Sequence, residues 1–205
     1  MSKDYSIAVN KVEHETVVNR SRFICYLCPC ISIEEAKAQV KFLQLEHPQA
    51  SHHCYAFLTK AASDSLGYGY SDDGEPSGTA GKPMLAVLQG SGTGELCAVV
   101  VRYFGGTKLG TGGLQRAYAD SVRQALVFLQ AKTKIAMAAK TLACQYSQVD
   151  DVLHIISQAE GQVVEQEYLQ QVLFSLLIPE AKLALVAQKL QTLSAGKLVL
   201  TNLKQ

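Results

Sequence analysis

Apolar residues recur along this chain at two spacings, and where one gives way to the other an element boundary is expected. Leu96 to Val101 form an unbroken apolar run with three β-branched valines, the signature of a strand buried on both faces. From Gly113 onward the spacing is helical. Leu114, Ala117, Val122, Ala125, Leu126 and Leu129 share one face, with Arg116, Asp120 and Arg123 interleaved on the other. Between strand and helix, five glycines fall in the nine positions from Gly105 to Gly113. Upstream, SRFICYLCPC predicts a strand. SIEEAKAQVKFLQLEHP predicts a helix with Ser32 as N-cap, Glu35 completing a capping box and Pro48 beyond the end. HCYAFLT reads as a further strand and LGYGYSDDGEPSGTAGKP as a long loop. KPMLAVLQ reads as a short helix with Pro83 in its first turn.

The pattern then restarts. A strand TLACQY precedes a helix carrying Val149, Val152, Leu153 and Ile156 on one face, which breaks at Gly161. Strands QVVEQEYL and VLFSLLIP follow, then a helix with Leu183, Val186, Ala187, Leu190 and Leu193, a stop at Gly196 and a last strand LVLTNL. That β, α, β, β, α, β order is the split unit of a ferredoxin-like fold. The expected fold class is therefore α+β with two domains, an N-terminal α/β domain over 1–138 and a ferredoxin-like domain over 139–205. No fixed-period repeat is visible.

Composition narrows the function classes. The 205 residues are 48% apolar and 18% charged, as in an ordinary globular protein. Met1 to Thr16 lack a signal-peptide core, and no apolar run reaches about 18 residues, so a cytoplasmic protein without membrane contact is expected. The six cysteines are then expected to be reduced thiols. A net charge of +1 argues against a strongly basic nucleic-acid module, and no DNA specificity is expected. The charge is unevenly laid out, however. Residues 63–95 carry five acids against Lys82, whereas 102–134 carry Arg102, Lys108, Arg116, Arg123, Lys132 and Lys134 against Asp120. An anionic partner would meet the second stretch.

Candidate chemistry gathers in two loops. A helix start presents unpaired N–H groups and partial positive charge, so a bare glycine backbone leading into one suits an anion. The expected anion or nucleic-acid set is Arg102, Gly105, Gly106, Lys108, Gly110, Gly112, Gly113 and Arg116. It is neither a P-loop, because Thr111 stands where lysine belongs, nor a dinucleotide loop, because Gln115 replaces the third glycine. The competing reading is that these glycines only permit turns and close packing. In the other loop Asp72, Asp73 and Glu75 could hold a hard cation, cap backbone amides, or pair with Arg102, Lys108 or Arg116. Turn chemistry is favoured. His52 and His53, adjacent at a strand start, should face opposite ways, and with Lys82 they complete the cleft candidates. Cys25 and Cys28 have a zinc-like spacing, but on a strand they point to opposite faces. No metal and no cofactor are expected. No G-x-S-x-G elbow occurs, so a serine-hydrolase reading has no support.

SDDGEPSGTAGKPML at 71–85 and VVVRYFGGTKLGTGGLQRAY at 99–118 resemble the signature of the IMPACT family, and SRFICYL and HHCYAF fit the same family's upstream pattern. The resemblance implies an N-terminal domain similar to domain four of elongation factor G, and a C-terminal one similar to its domain five. It also implies a link to translational control, carried in eukaryotic members partly by an additional N-terminal domain that binds a partner protein. This chain starts close to the shared domain, so RNA or ribosome binding is the more transferable expectation, with a protein partner as a further one. The family supplies no agreed catalytic residues. The function expected is therefore a non-enzymatic RNA- or ribosome-binding regulator of translation. The alternatives are an enzyme acting on a small phosphorylated or nucleotide substrate through both loops, and a protein-interaction adaptor.

Overall fold

The structure is a computed structural model that describes residues 4–64 and 66–202. The chain divides into two compact units, 5–134 and a second that comprises 135–202 with Asp4.

In the first unit, β7 (Leu96–Tyr103) lies at the centre of a five-stranded antiparallel sheet of order β2 (Val12–Val18), β3 (Ser21–Pro29), β7, β4 (His52–Leu58), β5 (Tyr68–Ser71). Helices cover both faces, which is why β7 has no polar alternation until its end. On one face α2 (Gly81–Gly90) and α3 (Gly110–Leu126) pack Met84, Leu88, Leu114, Tyr118 and Val122 against Leu96, Ala98 and Val100. On the other, α1 (Ile33–Glu46) packs Ala36, Val40 and Leu43 against Cys97, Val99 and Val101. Cys25 falls in the first cluster, and Cys28 and Cys30 in the second, as strand periodicity requires. A three-stranded sheet of order β6 (Thr93–Gly94), β1 (Tyr5–Ala8), β8 (Ala131–Lys134) completes the unit.

The helix boundaries expected from sequence are largely those observed. Ser32 Oγ accepts the Glu35 amide at 3.1 Å, but the Glu35 carboxylate returns to the N–H of Ile31 rather than to the cap residue. Five strands lie where none was expected: β1, β2, β5, β6 and β8. β2 alternates Val12, Glu13, His14 and Glu15 at a sheet edge, and β5 sits inside the stretch read as loop, with Tyr68 and Tyr70 exposed. Edge strands bury too little to write a strong apolar signal.

The second unit has the expected element order: β9 (Met137–Cys144), α4 (Val149–Gln158), β10 (Gln162–Tyr168), β11 (Val172–Pro179), α5 (Leu183–Ser194) and β12 (Thr201–Asn202). Its sheet order β10-β11-β9-β12, antiparallel throughout, is the ferredoxin-like arrangement. Val152, Ile156, Val186 and Leu190 of the two helices pack on Leu142, Phe174 and Leu176 of the strands. The last expected strand runs into 203, outside the described residues. Among the described residues no helix is long and apolar enough to cross a membrane.

Candidate functional site

The alternation along β7 places Arg102 on the same face as Leu96, Ala98 and Val100, so a guanidinium is driven beneath α3. Arg102 is 5% exposed, and its Nη1 donates to Oε1 of Glu75 at 2.5 Å. Tyr118 of α3 donates its hydroxyl to the same oxygen at 2.7 Å, and Nη2 of Arg102 lies 3.4 Å from Ser21 Oγ. The guanidinium also sits over the rings of Phe23 and Phe104, its Cζ 5.4 and 5.5 Å from their centroids. Burial raises the Tyr118 hydroxyl well above its ordinary pKa, reinforced by Cys54 and Glu75, so it stays a donor. A buried charge this deep needs a partner, and Glu75, 9% exposed, supplies it. Of the pairings open to the acidic loop, the one with Arg102 forms.

The other two carboxylates serve the backbone. Asp72 accepts the amides of Gly78 (2.7 Å), Ala80 (2.9 Å) and Gly81 (2.8 Å), so it caps the start of α2 from nine residues upstream. Asp73 accepts the His53 amide at 2.6 Å, while Nδ1–H of His52 donates to the Asp73 carbonyl at 2.7 Å. His52 and His53 do face opposite ways. His52 Nε2 lies 3.9 Å from Glu75 on the α2–α3 side, whereas His53 is buried towards α1 and its ring is made less basic chiefly by desolvation. Each of the three carboxylates thus already accepts a protein donor. No group of three or more potential ligands placed to hold a metal occurs among the described residues.

The five glycines divide by purpose. A Cβ on Gly105 would lie 2.1 Å from the Arg20 carbonyl carbon, and the Gly105 amide donates to Ser21 Oγ at 3.1 Å. This glycine serves packing. Gly106 and Gly110 hold φ of +84° and +70°, which glycine adopts without strain. Gly113 would crowd Leu109 at 3.1 Å. Gly112 is different: its φ is not positive and a Cβ there would meet open space, so neither conformation nor packing requires it. The helix start around it is bare. No side chain caps α3, no acid lies in its first turn, and no acceptor outside the helix takes the amides of Gly110 to Gly113 among the described residues.

Two members of the expected anion set therefore drop out: Arg102 spends its charge on Glu75 inside the core, and Gly105 spends its amide on Ser21. Gly106, Lys108, Gly110, Gly112 and Arg116 remain exposed, with Gly113 half-buried. Neither Lys108 nor Arg116 forms an ion pair among the described residues. Tyr118, fully buried, is not available for base stacking, whereas Phe104 is 50% exposed beside the loop. The two loops do meet, through Glu75 and Arg102 and again where Gln115 Nε2 donates to the Gly78 carbonyl at 3.3 Å. Lys82 stands apart from the histidines, across a groove from Arg116. Ser21 and Tyr118, central to the buried network, carry no local sequence signal for that role.

Comparison with known proteins bears on both units. Residues 19–126 match the Impact N-terminal domain, and residues 142–197 match a domain of unknown function, DUF1949. The chain is 45% identical over 188 residues to the IMPACT family member YigZ of Escherichia coli (strain K12), covering 92% of each chain. It is 41% identical to an IMPACT family member of Haemophilus influenzae, covering 96% of each, and 35% identical to YvyE of Bacillus subtilis, covering 90% of this chain and 84% of that one. A crystal structure of a hypothetical protein superposes over the whole of both chains with a TM-score of 0.76 at 41% identity.

Proposed function

This chain belongs to the IMPACT family, and on that premise we propose that it acts in translation as a non-enzymatic protein that contacts RNA or the ribosome through the start of α3. The single observation that carries the reading is the bare helix start. Among the described residues its amides have no acceptor outside the helix, Gly112 is needed by neither backbone nor packing, and Lys108 and Arg116 flank it unpaired. Backbone N–H groups and flanking cations are the chemistry that seats phosphate, and such groups position a nucleic acid without reading its sequence. The family resemblance adds the translational setting. The enzymatic alternative has less to work with, because Asp72, Asp73 and Glu75, its metal ligands or base, already accept from the α2 amides, the His53 amide and Arg102.

The test is a salt titration of binding to a fluorescently labelled single-stranded RNA, read by anisotropy, with the wild type and a Lys108→Ala/Arg116→Ala variant. Each cation withdrawn from a phosphate should flatten the slope of log K against log salt by about 0.7. A slope and affinity unchanged in the double variant would overturn the proposal.

A further inference from the structure

Beside the α3 start, and sharing only Arg116 with it, the flank of α3 and the flank of α2 enclose an open groove of about 980 Å³. Its floor is aliphatic, built from Ala86, Val87 and Ala119, and its rim carries Lys82, Arg116 and Arg123 against one acid, Asp120, which pairs with Arg123. Along α3 the groove runs from Arg116 to Leu126, about 15 Å or roughly three helical turns. Gly90 ends α2 with open space where its Cβ would be, so the trough is open at that end among the described residues. A nucleic-acid strand is a poor occupant. Bases bound without pairing need aromatic faces to stack on, and no aromatic side chain lines the groove among the described residues.

We propose that this groove docks an acidic amphipathic helix of a partner protein. An apolar floor of three turns takes anchors at i, i+3, i+4 and i+7, small residues let the incoming backbone approach, and Lys82 and Arg116, with Arg123 held beside Asp120, meet carboxylates along its flanks. Affinity comes from the floor, and the rim sets orientation and the choice of partner.

The experiment titrates the isotope-labelled full chain with a synthetic peptide of about three turns, leucines on one face and glutamates on its flanks, and follows backbone amides by NMR. The expected result is a set of shifts confined to 82–91 and 115–126. The same peptide with lysine for glutamate should bind about tenfold more weakly. Ala86→Glu and Arg123→Glu lie on exposed positions and should reverse that preference, while amides outside the groove report that the fold is kept. Three results would overturn the proposal: equal affinity for both peptides, shifts of the α2 amides 82–91 on adding single-stranded RNA alone, which would assign the groove to nucleic acid, or shifts of these amides on raising protein concentration alone, which would assign it to a second copy. Because Lys108 lies outside the groove, Lys108→Ala should leave peptide binding unchanged, so failure here and failure of the RNA reading are separable.

Discussion

Helices α2 and α3 lie side by side on one face of the same sheet, and both open on glycine, yet their starts are treated in opposite ways. At α2 the Asp72 carboxylate reaches across the loop to take three amides. At α3 no side chain arrives. Ser32 caps α1, whereas α4 and α5 continue out of 3-10 turns over Tyr146–Gln148 and Glu180–Lys182 and take no side-chain cap of their own; of these starts only that of α3 is glycine-rich. The acidic loop even touches α3, but through Glu75 at Tyr118 and the Gly78 carbonyl at Gln115, both inside the helix rather than at its first amides. An N-cap is worth about 1 kcal/mol, and each glycine in a helix costs about as much relative to alanine. A fold that caps one helix from nine residues away and leaves its neighbour bare at that cost draws the contrast on which the proposed RNA contact rests. Local rules are broken most often where function lies.

The largest effect should come from breaking the buried tie between the two regions. Glu75→Ala strands the Arg102 charge in the core and should cost about 3–5 kcal/mol in denaturant unfolding. Adding Arg102→Met should recover part of that, because no unpaired charge is then left in the core, while the cavity and the Tyr118 hydroxyl without its acceptor keep the rest. If the double variant is no more stable than the single, the pair is not what joins the acidic loop to β7. A smaller loss, about 2 kcal/mol, is expected for Asp72→Ala, which leaves three amides at the α2 start without their acceptor. A helix start that tolerates Asp72→Ala without loss would erase the contrast between α2 and α3.

How far these regions could be read from the sequence depends on how local their physics is. β7, the glycine stretch and α3 were legible because an unbroken apolar run, a turn composition and a 3.6-residue spacing follow one another within about thirty positions. The second unit was legible for the same reason. β2 and β5 were not, since an edge strand that buries one face weakly reads as polar sequence. Period two along β7 already put Arg102 in line with Leu96, Ala98 and Val100, so a buried guanidinium needing an acid was within reach. Which of three neighbouring carboxylates it would choose was not, because loop geometry decides it. Gly105 and Gly112 look alike in sequence. They part only when the Arg20 backbone, more than eighty residues upstream, closes on one and leaves the other open. The α2–α3 groove is likewise a lateral product of two helices and has no signature in either.

The smallest expected change in stability is also the most informative, because its sign separates folding from function. Gly112→Ala introduces a methyl group into open space on a helical backbone, so the folded state meets no clash and the unfolded chain loses freedom. The α3 start should gain about 0.5–1 kcal/mol, seen as a raised midpoint in thermal unfolding. The amide is still present and Lys108 and Arg116 are untouched, so the electrostatic part of RNA binding and its salt slope should persist. What the methyl removes is close approach of a phosphate to the first turn, and affinity should fall about fivefold, near 1 kcal/mol. A variant that is more stable and binds less well would mean that glycine is kept at 112 against the interest of the fold. A variant that is more stable and binds equally well would mean that the bare start of α3 is an unfilled cap and nothing more.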